Sequence, residues 1–389
     1  MFEVDAAQFA TLFHPCGRAV DTPGHLVALA EGDAERRREA LGHLFGAVIH
    51  QGTPLTATGP AAVVVAGLIG DARLAGAANA ELRAALLGFL AAVAEAGRSY
   101  TDAELDSWYP ATDLDVDAAL AEVLEGDDEE YWDIYSDGPL AAAVFRRGVL
   151  GCREATPVLL EAANAALDDP MPKVRAAAAH AVGACGTGVA DLWRLERSAV
   201  GAGPDERASV ALAIGALAGA PRAYLRDPHP GVRACAALAP ALADEPAALD
   251  ELLAALADPT APERWFADRP PHFHQHIRFA LIAAATERAG DPERLVPAAV
   301  AAVAIDGGRI TGEDVVPFLR VIFADAAEWG EGVDWRPFTA AQRRYLAALV
   351  SNNRLWDGWL REAFQELGLP YDRDRCRELA HRSREGTLW

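Results

Sequence analysis

One passage of the chain occurs twice. DDPMPKVRAAAAHAV at residues 168–182 and RDPHPGVRACAALAP at residues 226–240 align without gaps, 58 residues apart. Each has an acidic residue, a proline, a short spacer, Val-Arg and an alanine-rich run. Self-similarity at this spacing marks a protein built from stacked units, each burying its apolar face against neighbours. It shows how a surface is built and does not show what that surface binds.

The chemistry of the repeated unit predicts a helix. Asp169 and Asp227 are suited to N-caps, with Pro170 and Pro228 behind them, where a missing N–H costs nothing. Val174, Ala177, Ala178, Ala181, Val182 and Cys185 fall on one helical face, and Val232, Cys235, Ala236 and Ala239 repeat it. Small residues on that face let helices approach closely. Pro240 falls within the second helix and is expected to end or kink it.

The D-P-x-P-x-V-R-x-A-A pattern resembles the HEAT-repeat family, in its short bacterial form of roughly 30 residues per helix pair. The 58-residue offset is then two units. The middle helix is PDERASVALAIGAL, residues 204–217, with Arg207 in the arginine position; weaker copies lie at residues 33–45 and 276–288. The resemblance implies an all-α fold, a right-handed α–α superhelix (a HEAT-like solenoid) with an acidic insertion. It also implies that Asp169, Arg175, Asp227 and Arg233 form a structural ladder between units. Four regions are expected: an N-terminal helical layer at residues 1–98, an acidic interruption at 99–137, the clearest repeats at 138–305 and a helical cap at 306–389. In the first layer, helices are expected near residues 34–50, 59–69 and 79–95.

The acidic interruption is the main departure from the repeat. Residues 102–137 hold fourteen Asp and Glu and no Lys or Arg, a large part of the net charge of −22. Trp108, Tyr109, Tyr131, Trp132 and Tyr135 are interleaved with the carboxylates. One reading is a docking segment for a basic partner, with Trp108, Tyr109, Asp127, Asp128, Glu129, Glu130, Tyr131 and Trp132 as anchors and steering charge. The plainer reading is a solvated loop pinned by its aromatics. His50, Gln51 and Thr53, in an HQGT…AT passage, either shape a structural turn around Gly52 or offer a polar patch to a ligand.

Other chemistries find less support. Asp113, Asp115 and Asp117 match the start of an EF-hand loop, but Ala118 and Leu124 stand where Gly and Glu are required. His272, His274 and His276 are a weak metal candidate without a nearby fourth ligand, so no metal is expected. Five scattered cysteines read as reduced core thiols. GxSxG, Walker A and dinucleotide-binding loops are absent from the sequence, no catalytic residue is nominated and no cofactor is expected. The acidic balance disfavours nucleic acid. The N-terminus lacks the basic-then-apolar pattern of an export signal, and the apolar runs at 55–70 and 208–221 are too short or broken to span a bilayer. A cytoplasmic location with no membrane association is therefore expected.

HEAT-like proteins usually hold other proteins, so the resemblance implies a non-catalytic interaction scaffold. Its concave face would bind a protein or peptide, a basic one on the docking reading of the acidic segment, in a toxin-neutralising or regulatory role. Two alternatives stay open: an enzyme on this scaffold, similar to DNA glycosylases or biosynthetic lyases, or a small-molecule-binding auxiliary of a biosynthetic pathway.

Overall fold

A computed structural model describes residues 4–125, 138–305, 310–324 and 338–381. Among them the secondary structure is helical apart from one two-residue antiparallel pair, Phe13–His14 with Gly17–Arg18. The chain is all-α. It divides into two compact units, residues 1–217 with 270–272, and residues 218–269 with 273–389.

The first unit contains α1 (Ala6–Phe9), α2 (Thr22–Glu31), α3 (Ala34–His43), α4 (Thr58–Ile69), α5 (Ala80–Arg98), α6 (Asp102–Trp108), α7 (Val116–Glu125), α8 (Pro139–Ala166), α9 (Pro172–Cys185), α10 (Val189–Ser198) and α11 (Pro204–Ala216). Helices pair in sequence and then stack in rows. α5 packs on α9 and α9 on α11; α4 packs on α8, and α4 and α8 both pack on α5. The apolar stripe predicted for α9 is buried, and so are Ala176, Ala179, His180 and Ala184 outside it. This helix sits between neighbours on several sides, which its small side chains permit. A Cβ on Gly183 would lie 2.9 Å from Ala213 Cα, so no larger residue fits there without movement.

The second unit contains α12 (Pro230–Ala237), α13 (Pro246–Ala255), α14 (Ile277–Arg288), α15 (Pro292–Val303), α16 (Gly312–Ile322), α17 (Ala340–Ser351), α18 (Arg361–Glu366) and α19 (Arg373–His381). The same alternation recurs: α14 packs on α16 and α16 on α18, while α15 packs on α17 and α17 on α19. Among its described residues the most buried charges are Arg278 and Asp314, paired at 2.6 Å. Asp314 also accepts the Thr311 N–H that opens α16.

The repeated passages differ from expectation at their first turn. The N-caps are Met171 and His229, two residues later than Asp169 and Asp227. The residue before a proline is driven out of helical conformation, so each helix starts at the second proline of D-P-x-P. The aspartates instead fold an Asx turn, accepting the N–H of Met171 and of His229 at 2.8 Å. α12 ends at Ala237, before Pro240.

Two expectations in the first layer are corrected. The helix expected over residues 34–50 stops being α-helical at His43, continues as a wide π turn over Leu44–Val48, and breaks where Gln51 takes a φ of 52°. The helix expected from residue 59 begins one residue earlier, at Thr58, whose hydroxyl joins the Val48 carbonyl (2.8 Å) to the Leu55 N–H (3.0 Å). Among the described residues one helix, Ala77–Arg98, is long and apolar enough to cross a membrane. Its packing against α4, α8 and α9 accounts for that apolarity.

Candidate functional site

Two sequence features flagged separately meet in the first unit. A cleft of about 680 Å³ is lined by Gln51, Gly52, Thr53 and Pro54 on one side and by Tyr100, Trp108, Tyr109 and Phe145 on the other. The left-handed backbone of Gln51 and Gly52 turns the chain after α3 so that residues 51–54 form one wall. Thr56 and Thr58 fix that turn from beneath, Thr56 accepting the Phe13 N–H at 2.9 Å.

The other wall is held by α8. Arg146 donates to the Tyr109 carbonyl (3.0 Å) and pairs with Asp106 (2.8 Å). Arg153 donates to the Gly97 carbonyl (2.7 Å) and pairs with Asp102 (2.7 Å). Thr101 and Glu104 open α6 with a reciprocal capping box. Tyr109 packs on Phe145 with ring centroids 4.4 Å apart, and Tyr100 meets both edge-on. Burial, and then the hydrogen bond with Tyr100, raise the Tyr109 hydroxyl pKa above its ordinary value, so Tyr109 is a neutral hydrogen-bonding group. Trp108 is different: it is 72 % exposed at the lip of the cleft.

The described part of the acidic segment packs against neighbouring elements. α7 buries Val116 and Leu120 against Phe13, Leu55, Ala143 and Val144, and Arg147 of α8 pairs with Asp117. Asp102, Asp106 and Asp117 therefore have arginine partners from a single helix. Asp113, Asp115 and Glu122 are exposed, with Asp115 capping α7 through the Ala118 N–H. Asp127, Asp128, Glu129, Glu130, Tyr131 and Trp132 lie outside the described residues.

The remaining sequence candidates are dispersed. His50 is exposed and donates to the Gly46 carbonyl at 3.0 Å; it does not line the cleft beside Gln51 and Thr53. His272 packs its ring on His180 at 4.4 Å, His276 pairs with Glu263 at 3.2 Å, and His274 is exposed. The expected ladder takes another form. Arg175 reaches the Asp169 carbonyl and Glu206, while the Asp169 carboxylate receives both Nε and Nη2 of Arg83 at 3.0 Å.

One cluster went unread in the sequence. His14, Asp21 and His43 place their ligand atoms within 4.8 Å of one another, and His25 stacks on His43 at 4.2 Å. Burial is the main reason that His43 is held down at about 4; the nearby His25 and His14 add to this, and Asp21 opposes it. Burial pushes the Asp21 carboxyl the other way, but the His14 hydrogen bond and the charges of both histidines keep it below the usual range. The available signal was three of the ten histidines within residues 14–43.

Comparison with family models, curated proteins and solved structures finds no match for this chain.

Proposed function

We propose that this protein is a non-catalytic interaction scaffold, a HEAT-like right-handed solenoid whose cleft between residues 51–54 and 100–109 receives a basic peptide segment of another protein. The carrying observation is Trp108, exposed at the lip of a cleft whose two walls come from distant passages of the chain. Stacked helix rows within each unit support the solenoid reading.

The chemistry favours a cationic segment. Trp108 presents an indole face to solvent, and cations stack on such faces. Gln51 and Thr53 supply hydrogen-bonding groups to the same cleft as Tyr100 and Tyr109. α6, α7 and the loop between them carry exposed carboxylates in a chain of net charge −22, which steers positive partners and repels negative ones.

Binding to a panel of arginine- and lysine-containing peptides, matched with acidic and neutral versions, tests the reading. Basic peptides are expected to bind, with affinity falling as salt rises. Trp108→Ala should weaken them about 30-fold, as expected for an anchor worth about 2 kcal/mol. Equal binding by all three panels, or by wild type and Trp108→Ala, contradicts it.

A further inference from the structure

We propose that His14, Asp21 and His43 form a binding site for a transition-metal ion of the zinc type. The ligand set is two imidazoles and one carboxylate, drawn from the Phe13–His14 strand, the turn before α2 and the last turn of α3. His14 Nε2 is 3.1 Å and His43 Nδ1 3.8 Å from the Asp21 carboxylate. Zinc bonds of about 2.0–2.2 Å place tetrahedral ligand atoms roughly 3.3–3.6 Å apart, so small side-chain movements close the set.

His43 is oriented for the task. Its Nε2 lies 2.9 Å from the hydroxyl of the fully buried Thr22. With Nε2–H donated to that oxygen, the Nδ1 lone pair faces a carboxylate oxygen at 3.8 Å. Two acceptors opposed at that distance are what a cation between them resolves. A hydrogen-bond acceptor on the second ring nitrogen fixes the orientation of a metal-binding histidine, and the Thr22 hydroxyl oxygen serves as one here. His25, stacked on the ring with an interplanar angle of 16°, holds it against rotation. Asp21 is half exposed, which gives the ion a path and lets water complete its coordination.

His14 must change partner. Its Nδ1 accepts the Cys16 N–H at 3.2 Å, which puts the ring proton on Nε2, donated to Asp21. The ion takes the Nε2 position and the proton passes to Nδ1. The ring stays neutral and the Cys16 amide is released. Metal binding is thus coupled to the turn at Pro15–Cys16.

The test uses the full chain stripped with chelator, then titrated with Zn2+ by calorimetry and with Co2+ by visible absorption. One ion per chain and a tetrahedral Co2+ spectrum are expected. Asp21→Asn and His43→Gln should each weaken binding at least 10-fold, and Thr22→Val about 10-fold. His276→Gln, which removes a histidine of the other candidate group, should leave affinity unchanged. Zinc should also speed hydrogen exchange at the Cys16 amide. A circular dichroism spectrum matching wild type shows that a variant is folded, and Asp21→Asn, at an exposed position, is the variant to rely on. Substoichiometric binding, binding unaltered by Asp21→Asn, or binding lost with His276→Gln overturns the proposal.

Discussion

Arg175 and Arg233 make the same two contacts in separate copies of the repeat. Each donates Nη1 to the main-chain carbonyl of the aspartate six residues before it, Asp169 or Asp227, and Nε to a glutamate further along the chain, Glu206 or Glu251. The equivalence is chemical, because the glutamates occupy different positions relative to their arginines. Each arginine thereby holds a turn against a following helix. Arg175→Ala and Arg233→Ala should each cost about 1.5–3 kcal/mol, the range for charge-assisted hydrogen bonds, read from urea unfolding. Lysine should recover little, because it lacks the planar fork that serves a carbonyl and a carboxylate together.

Close approach of α4 and α8 predicts opposite signs for two glycines on one helix. A Cβ on Gly59 would sit 2.5 Å from the Gly151 carbonyl oxygen, a backbone atom that cannot swing aside. Gly59→Ala should lower stability by about 1–3 kcal/mol. Nothing lies within 4 Å of a Cβ on Gly67, so Gly67→Ala should raise stability by about 0.5–1 kcal/mol through helix propensity. Thermal unfolding of both variants checks the pair.

In the second unit, Arg278→Met leaves Asp314 buried without its main partner and should cost about 3–5 kcal/mol. Arg278→Met with Asp314→Leu should recover much of that loss in a double-mutant cycle. Recovery will be incomplete, because Asp314 also accepts the Thr311 N–H.

His43 makes stability depend on pH in the metal-free protein. Its value is lowered to about 4 in the fold from an ordinary 6.5. Between those values the unfolded chain binds more protons than the folded one, so the unfolding free energy rises with pH through that window and falls as pH drops toward 4. Urea unfolding at several values from pH 4 to 7 should show this slope, and His43→Gln should flatten it.

Much of the helical framework could be read from residues, because D-P-x-P-x-V-R with a small apolar stripe is a local pattern. The helix starts were displaced by two residues, since the restriction that a second proline places on Met171 and His229 outweighs the capping preference of Asp169 and Asp227. The cleft was legible in halves. Gln51, Thr53, Trp108 and Tyr109 stood out individually, but only α8, where Arg146 holds the Tyr109 carbonyl and Gly148 lies against Pro54 and Leu55, brings them to one place. His14, Asp21 and His43 follow no motif; seven and twenty-two residues separate them, and a strand, a turn and a helix end close that gap.

Hydrogen-exchange protection of the whole chain on addition of a bound basic peptide tests the central claim most directly. Protection confined to residues 51–55 and 100–109, and absent in Trp108→Ala, is the predicted result. Protection elsewhere in either unit, with those two stretches unchanged, would contradict it.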